Sequence, residues 1–168
     1  RAETAADKAS FRAAMRHRRT LVPASGFYEW RREGRGRPQP YWIRPREGEV
    51  VAFAGIMETW TEPGGSEIDT GAIVTTAASD DLAEIHHRMP VVVRREHFAR
   101  WLDCVGSEPR DVTDLLAPPE PGFFEAVPVS HKVNSVANTG LDLQERVEPT
   151  PEEGGDYRGN EKAQLSLF

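Results

Sequence analysis

The sequence contains very little cysteine and no long apolar run, and each shortage excludes a class of protein. Cys104 is the only cysteine among 168 residues, so neither an intrachain disulfide nor a cysteine-based zinc site can form. No apolar stretch approaches the roughly 20 residues that cross a membrane, and no signal peptide is visible. We therefore expect a cytoplasmic globular protein with no membrane partner.

The chain also lacks the regular alternation of strands and helices that builds a parallel sheet. Its 38% hydrophobic and 29% charged residues suit one globular domain with some disordered length. We predict an α+β fold for residues 1–148: a single domain with a curved, mainly antiparallel β-sheet or barrel-like core, flanked by short helices. Residues 149–168 are rich in Glu, Pro, Gly and Asp, which predicts an acidic disordered tail.

Periodicity and turn residues predict the elements of this domain. Thr4 is predicted to cap a helix over residues 5–17, and further helices are predicted at 79–85, 95–102 and 111–116. Strands are predicted at 27–30, 41–43, 50–60, 72–76 and 123–129, and a polar loop at 62–69. Gly55, inside the long strand, indicates a bulge or a close backbone approach.

Charge is divided unevenly along the chain. Residues 1–46 hold 12 Lys and Arg against 4 Asp and Glu, whereas the remainder holds 9 against 23. An acidic protein can therefore present a basic surface if its first third folds onto one face, and such a surface suits a polyanion such as nucleic acid. The alternative is a well-solvated face of arginines.

The stretch from Val22 to Trp30 (VPASGFYEW) carries an unusual carboxylate. A turn at its start leads into a strand of aromatic residues that also contains Glu29. Side chains alternate across a strand, so Glu29 shares a face with Phe27 while Tyr28 and Trp30 share the other. A carboxylate among aromatic rings loses hydration, which raises its pKa and suits proton transfer. Alternatively, this is an edge strand with Glu29 facing water.

Other side chains offer weaker signals. His86, His87 and His131 do not follow a zinc pattern, so no metal site and no cofactor are predicted. Trp30 and Trp42 are candidates for stacking on bases of single-stranded DNA, whereas Trp60 and Trp101 are expected in the core. Thr75 is a candidate phosphate donor, and Arg88 is either a phosphate contact or a structural ion pair.

Several short motifs in order resemble the SRAP family, the abasic-site processing proteins also called SOS response-associated peptidases. The matching pieces are residues 1–4 (RAET), 18–30 (RRTLVPASGFYEW), 40–42 (PYW), 53–58 (FAGIME), 75–77 (TTA), 85–91 (IHHRMPV) and Val133-Asn134. The resemblance spans residues 1 to about 148. It implies a DNA damage response protein that acts on abasic sites in single-stranded DNA, in the cytoplasm at the nucleoid.

The resemblance also implies a chemistry. In this family an N-terminal Cys, exposed by removal of the initiator Met, condenses through its amine and thiol with the open-chain sugar aldehyde. The product is a reversible thiazolidine cross-link. By match to the family, Glu29 would move protons during ring opening and imine formation, and His86 would bind the sugar or phosphate and assist proton transfer. Arg1 would bind phosphate, with Arg18, Arg19 and Arg88 as further DNA contacts.

The sequence departs from the family at its start. It begins at Arg1, inside what would be an Asn-Ala-Arg-Ala-Glu-Thr segment, and the nucleophilic Cys and the Asn are not in it. Cys104 does not replace that Cys, because it has no N-terminal amine. We expect the chain to be a fragment of a longer protein rather than a truncated homologue, and not to form the cross-link as it stands.

Two alternative functions are a non-catalytic single-stranded DNA-binding module and a cysteine autopeptidase. The sequence is therefore compatible with lyase, hydrolase or protease activity.

The last five residues of the tail, QLSLF, are similar to the bacterial sliding-clamp binding motif. Leu165, Leu167 and Phe168 would enter a hydrophobic groove and Gln164 would hydrogen-bond beside it. A tail that presents this segment favours recruitment to the clamp. The alternative is a tail strand that docks on its own domain or frays.

Overall fold

A computed structural model of the protein describes residues 1–32, 34, 36–48 and 50–149. Its described part contains three short α-helices and eight strands, with 3-10 helices at Arg95–His97, Pro109–Leu116, His131–Asn134 and Leu141–Gln144. The helices are α1 (Ala2–Ala5), α2 (Ala9–His17) and α3 (Phe98–Leu102). The strands are β1 (Arg19–Ala24), β2 (Phe27–Arg31), β3 (Gln39–Pro45), β4 (Val51–Thr61), β5 (Glu67–Ile73), β6 (Thr75–Ala77), β7 (Arg88–Pro90) and β8 (Phe124–Pro128).

The strands form three small sheets. One has the order β1-β4-β5, the second β2-β3-β8, and the third pairs β6 with β7. β4 is antiparallel to both of its neighbours, with Arg19 opposite Ile56 and Thr61 opposite Glu67. β6 and β7 are also antiparallel. The predicted α+β class with antiparallel sheets and short helices is confirmed, and no closed barrel is present among the described residues.

The chain divides into two compact units. The first comprises Arg1–Phe27 and Arg44–Glu125, and the second comprises Tyr28–Ile43 with the described residues from Ala126 onward. The first unit has an apolar core formed by α2, α3, β4 and neighbouring residues, with Met15, Val91, Trp101 and Val112 fully buried. The second unit has a smaller cluster around Trp42, Val127 and Val129.

The predicted single helix over residues 5–17 is wrong. Thr4 lies inside α1, and Lys8, with an extended backbone, precedes α2. Ala5 and Ala14 are both buried in the first core. In one continuous helix, residues nine positions apart would lie on opposite faces, so the interruption allows both alanines to face the same core.

Two further boundaries differ from the predictions. Residues 79–85 form consecutive turns instead of a helix, with the carbonyl of Ser79 accepting from the N–H groups of Leu82 and Ala83. The predicted polar loop is shorter than expected, because β5 starts at Glu67 and pairs with β4. Every residue of β5 is exposed, so pairing with β4 and not burial of an apolar face holds this strand.

Gly55 lies under side chains of the facing strand, and the ladder beside it has no bulge. It pairs with Thr20 in an uninterrupted register between β1 and β4. A Cβ at this position would lie 2.8 Å from Cγ2 of Thr20 and 3.0 Å from Cγ2 of Val22. The glycine therefore makes room for two β-branched side chains of the facing strand.

Candidate functional site

Glu29 lies in the middle of β2, and its neighbours alternate between two sets of aromatic contacts. The Phe27 ring meets Phe53 and Phe124 edge-on, with centroids 5.8 and 5.6 Å apart. The Tyr28 ring packs against Trp42 at 4.8 Å. Glu29 itself is half-buried and β2 ends its sheet, so the carboxylate is neither in the core nor on an open face. Its raised pKa stays a prediction.

The two tryptophans predicted to stack on bases have different surroundings. Trp42 is only 5% exposed and belongs to the core of the second unit, so its ring faces are covered by protein. We therefore do not carry Trp42 forward as a DNA contact. Trp30 is half-buried, and its Nε1–H donates to Oδ1 of Asn134 at 2.8 Å.

The two tryptophans that were expected in the core differ in their burial. Trp101 is fully buried, as predicted, and its Nε1–H donates to the carbonyl oxygen of Thr20. Trp60 is 50% exposed on β4, so the expectation of a core position is wrong. Trp60 pairs with Ile68 of the exposed edge strand β5. The first core does not cover this end of the β4–β5 hairpin.

His86 is oriented by the backbone of a residue two positions later. Its Nδ1 lies 2.9 Å from the carbonyl oxygen of Arg88 and 3.2 Å from the backbone nitrogen of Arg88. The Nδ1 atom therefore meets the Arg88 peptide in either tautomer: it donates to the carbonyl when it carries hydrogen, and accepts from the N–H when it does not. The His87 ring lies against it, with centroids 4.5 Å apart.

Arg88 joins three segments of the first unit. Its terminal nitrogens donate to both carboxylate oxygens of Glu3 at 2.7 and 3.0 Å, and one also donates to the carbonyl oxygen of Thr75 at 2.6 Å. The Arg88 side chain is only 16% exposed. Hydrogen bonding to the guanidinium lowers the pKa of Glu3 to about 2. The sequence left two roles for Arg88, a phosphate contact or a structural ion pair, and the structure contains the ion pair.

Sequence reasoning missed Glu3, which is the partner of Arg88. The two residues are 85 positions apart, and no periodicity relates them. The available signal was its position in the RAET motif, two residues after the phosphate-binding candidate Arg1. Arg1 is exposed in the structure.

The adjacent arginines of the RRT motif have opposite environments. Arg18 is partly exposed and donates to Oγ1 of Thr59 at 2.6 Å, with Asp69 at 3.6 Å. Arg19 is 5% exposed, and its guanidinium donates to four backbone carbonyls, those of Met15, Trp101, Asp103 and Ser107. Its charge also lies 5.6 Å from the centroid of the Trp101 ring. Arg19 is therefore a structural residue, and we remove it from the candidate DNA contacts.

Among the described residues, His131 belongs to no cluster of metal-ligating side chains. Burial, together with the positive charge of Arg37, lowers the pKa of His131, and its buried Nδ1 makes no hydrogen bond among the described residues. In the same part of the chain, no group of three or more His, Cys, Asp or Glu side chains is placed to hold a metal ion. A neutral imidazole in the second unit is the state that this environment favours.

The clamp-like residues Gln164, Leu165, Leu167 and Phe168 lie outside the described residues, so their role stays a prediction. Within residues 1–149, apart from the three positions left out, no helix is both long and apolar enough to cross a membrane.

Comparisons with known proteins agree with the motifs. The family model described as SOS response associated peptidase (SRAP) matches residues 1–136. The chain is 37% identical over 145 residues to the abasic site processing protein YoqW of Bacillus subtilis, covering 86% of this chain and 65% of that protein. It is 36% identical over 159 residues to the abasic site processing protein HMCES of Gallus gallus, covering 82% and 46%.

Solved structures give the same result for the fold. A crystal structure of a protein from Bacteroides thetaiotaomicron aligns with a TM-score of 0.79 at 28% identity, covering 88% of this chain and 64% of that one. A protein from Bordetella bronchiseptica aligns with a TM-score of 0.67 at 26% identity, covering 77% and 64%. The chain spans slightly less than two thirds of the bacterial relatives named here. With its motifs, its sheets and these matches, the chain belongs to the SRAP family.

Proposed function

We propose that this chain binds single-stranded DNA at abasic sites, with Glu29 and His86 as its acid–base groups. The observation that carries the proposal is the presence of both residues in family motifs, each on a fixed backbone: Glu29 within a paired strand, and His86 with its ring tied to the Arg88 peptide. Relatives at 36 and 37% identity are named abasic site processing proteins, which supports the choice of lesion.

An abasic sugar requires proton transfer at several steps, and the two groups suit different ones. Opening of the sugar ring needs a proton delivered to the ring oxygen and one removed from the anomeric hydroxyl, which a half-buried carboxyl group can do. With Nδ1 of His86 against the Arg88 peptide, its Nε2 atom would accept from a sugar hydroxyl in one tautomer and donate to a sugar or phosphate oxygen in the other.

The proposed complete reaction is a reversible cross-link to an N-terminal Cys of the full-length protein. The α-amine adds to the sugar aldehyde and water leaves, which gives an imine. The thiolate then attacks the imine carbon, and the nitrogen takes up a proton to close a thiazolidine ring. Glu29 would supply and remove the protons of the imine step, and reversal follows the same path backwards.

DNA contacts are proposed for Arg1, Arg18, Trp30, Thr75 and Arg88. Arg1 is exposed and can pair with a phosphate directly, whereas Arg18 is partly exposed and would exchange its contacts with Thr59 and Asp69 for a phosphate. Arg88 is engaged by Glu3, so a phosphate contact requires that Arg88 exchange one of these carboxylate bonds for a phosphate oxygen. The Thr75 hydroxyl lies 3.5 Å from the same guanidinium and would donate to the same phosphate.

The first test is binding by the 168-residue chain. Fluorescence anisotropy is measured with two labelled single-stranded oligonucleotides that differ only in one abasic site. We expect tighter binding to the abasic strand, because the missing base leaves room for the sugar–phosphate backbone of the DNA to approach the protein closely. Equal affinity for the two strands would contradict recognition of the lesion.

The second test addresses Glu29 in the full-length protein. Incubation with abasic single-stranded DNA is followed by denaturing gel electrophoresis. We expect Glu29→Gln to slow cross-link formation or reversal by about 100-fold, the usual contribution of a positioned acid–base group, while binding to undamaged DNA is unchanged. Glu84→Gln, on an exposed turn, is the control. Equal loss of binding and of cross-linking would show that Glu29 is structural.

A further inference from the structure

Trp30 is held by a residue to which the proposed function gives no role. Its indole Nε1–H donates to Oδ1 of Asn134 at 2.8 Å, across 104 positions of sequence. Both residues belong to the second unit, Trp30 on β2 and Asn134 at the end of the 3-10 helix His131–Asn134. The indole N–H is the only hydrogen-bond donor of a tryptophan side chain, so this contact uses all of it.

The segment that carries Asn134 is itself anchored. Val133 packs against the cluster of Trp42, Val127 and Val129. The Ser130 side chain accepts from the backbone N–H of Lys132, and the side-chain amide of Asn138 donates to the Lys132 carbonyl at 2.8 Å. Asn134 therefore lies on a short helix that is held by packing and by hydrogen bonds, and not on a free loop.

A bond to the edge of the indole restricts rotation of the ring and does not occupy its faces. Trp30 is half-buried, so part of the residue remains accessible to solvent. Stacking of a base on an aromatic face stabilises single-strand binding, and a ring that is already restricted loses less conformational entropy on binding. The hydrogen bond from Trp30 to Asn134 therefore favours stacking, although Asn134 itself does not contact the base.

We propose that Asn134 is a positioning residue that holds the Trp30 indole as a stacking platform for a base of the bound single strand. This inference rests on the proposed function, because the base belongs to the single-stranded DNA proposed there. It assigns a role to Asn134 and predicts that this role is exerted through Trp30 alone.

A double-mutant cycle tests the coupling. Binding of an abasic single-stranded oligonucleotide is measured by anisotropy for the 168-residue chain and for Asn134→Ala, Trp30→Phe and the double variant. Trp30→Phe keeps an aromatic ring but removes the N–H. We expect Asn134→Ala to raise Kd about three- to tenfold, the usual effect of losing one hydrogen bond, and to have no effect in the Trp30→Phe background.

A second readout needs no DNA. Solvent exchange of the indole N–H groups is followed by NMR of ¹⁵N-tryptophan-labelled chain, with the Trp30 signal assigned from Trp30→Phe. We expect Asn134→Ala to accelerate exchange at Trp30 while the other three indoles are unchanged. Asn134→Asp, which retains an acceptor oxygen, should keep exchange at Trp30 slow. If Asn134→Ala lowers Tm markedly, Asn134→Ser replaces it in both measurements.

The outcomes separate this inference from the proposed function. An equal loss of affinity in both backgrounds, or unchanged exchange at Trp30 in the Asn134→Ala chain, overturns the positioning role while binding to DNA stands. A chain that binds no single-stranded DNA overturns the proposed function and the stacking role together, and the exchange data then report only on the hydrogen bond.

Discussion

Arg18 and Arg19 are adjacent in the chain, and their guanidinium groups lie in opposite environments. Both belong to one basic motif, and both were predicted to contact DNA. The Arg19 guanidinium instead satisfies four backbone carbonyls from three parts of the chain, and only Arg18 keeps access to solvent. A planar group with five donors can serve four acceptors, which a lysine ammonium with three cannot.

This difference predicts opposite effects for neighbouring substitutions. Arg19→Ala should lower the free energy of unfolding by about 3–5 kcal/mol, because it leaves several buried carbonyls without donors. Arg18→Ala should change it by about 1 kcal/mol or less, since its ion pairs are exposed. Urea unfolding measures both. Similar values for the two variants would contradict the structural role of Arg19.

The Glu3–Arg88 ion pair makes stability depend on pH over a defined window. Hydrogen bonding to Arg88 lowers the pKa of Glu3 from 4.5 to about 2. A lowered pKa means that the contribution is fully present above the unfolded value of 4.5 and is lost as the pH falls toward 2. Glu3 is half exposed, so solvent screening keeps the contribution small.

Thermal unfolding of Glu3→Gln tests this pH dependence. The variant should have a lower Tm than the parent chain at pH 7, and the difference should disappear as the pH approaches 2. Glu62→Gln, in the exposed turn between β4 and β5, is the matched control and should follow the parent at every pH. A difference between Glu3→Gln and the parent that does not change with pH would show that the ion pair is not its cause.

At the scale of elements, the strands with apolar or aromatic patterns were predictable and the others were not. β2, β3, β4 and β8 lie where sequence analysis placed strands. Only Ala72 and Ile73 of β5 fell inside a predicted strand, and the rest was missed because it is exposed throughout and is held by hairpin pairing with β4. The helix at 5–17 failed for a related reason, since its interruption serves the packing of Ala5 and Ala14 and no local breaker residue marks it.

The Gly55 position predicts a specific steric effect at the β1–β4 pairing. Gly55→Ala should destabilise the chain by about 1–3 kcal/mol, because its Cβ would meet two side chains closer than contact distance. Gly64→Ala is the control, since a Cβ there has nothing within 4 Å. Adding Thr20→Ser, which removes the nearest methyl group, should recover part of the loss in urea unfolding. No recovery would mean that another contact is responsible.

The candidate site was predictable only where a motif kept its residues together. Glu29 and His86 were found from short stretches of sequence. The buried state of Trp42, the ion pair of Arg88 with Glu3 and the bond of Trp30 to Asn134 each depend on residues brought together by folding. Sequence analysis therefore identified candidate reacting groups and missed what orients the groups around them.

For the whole molecule, the proposed binding should depend strongly on salt despite the net charge of −6. With Arg1, Arg18 and Arg88 each on one phosphate, log K for single-stranded DNA should fall with log salt with a slope of about −2. Arg18→Glu should weaken binding and reduce the slope by about 0.7. Arg110→Glu, at a highly exposed position elsewhere in the first unit, is the control for net charge. Equal effects of the two reversals would indicate nonspecific attraction.

The carbonyl partners of Arg19 also determine when its side chain can reach its final contacts during synthesis of the chain. Three of them lie 82 to 88 positions later in the sequence. Of its four final acceptors, only the Met15 carbonyl precedes Arg19 in the chain, and the other three do not exist until residues 101–107 have been synthesised. The first third of the chain, with most of its arginines, therefore emerges as an unfinished cationic segment beside ribosomal RNA, and its final structure waits for sequence made much later.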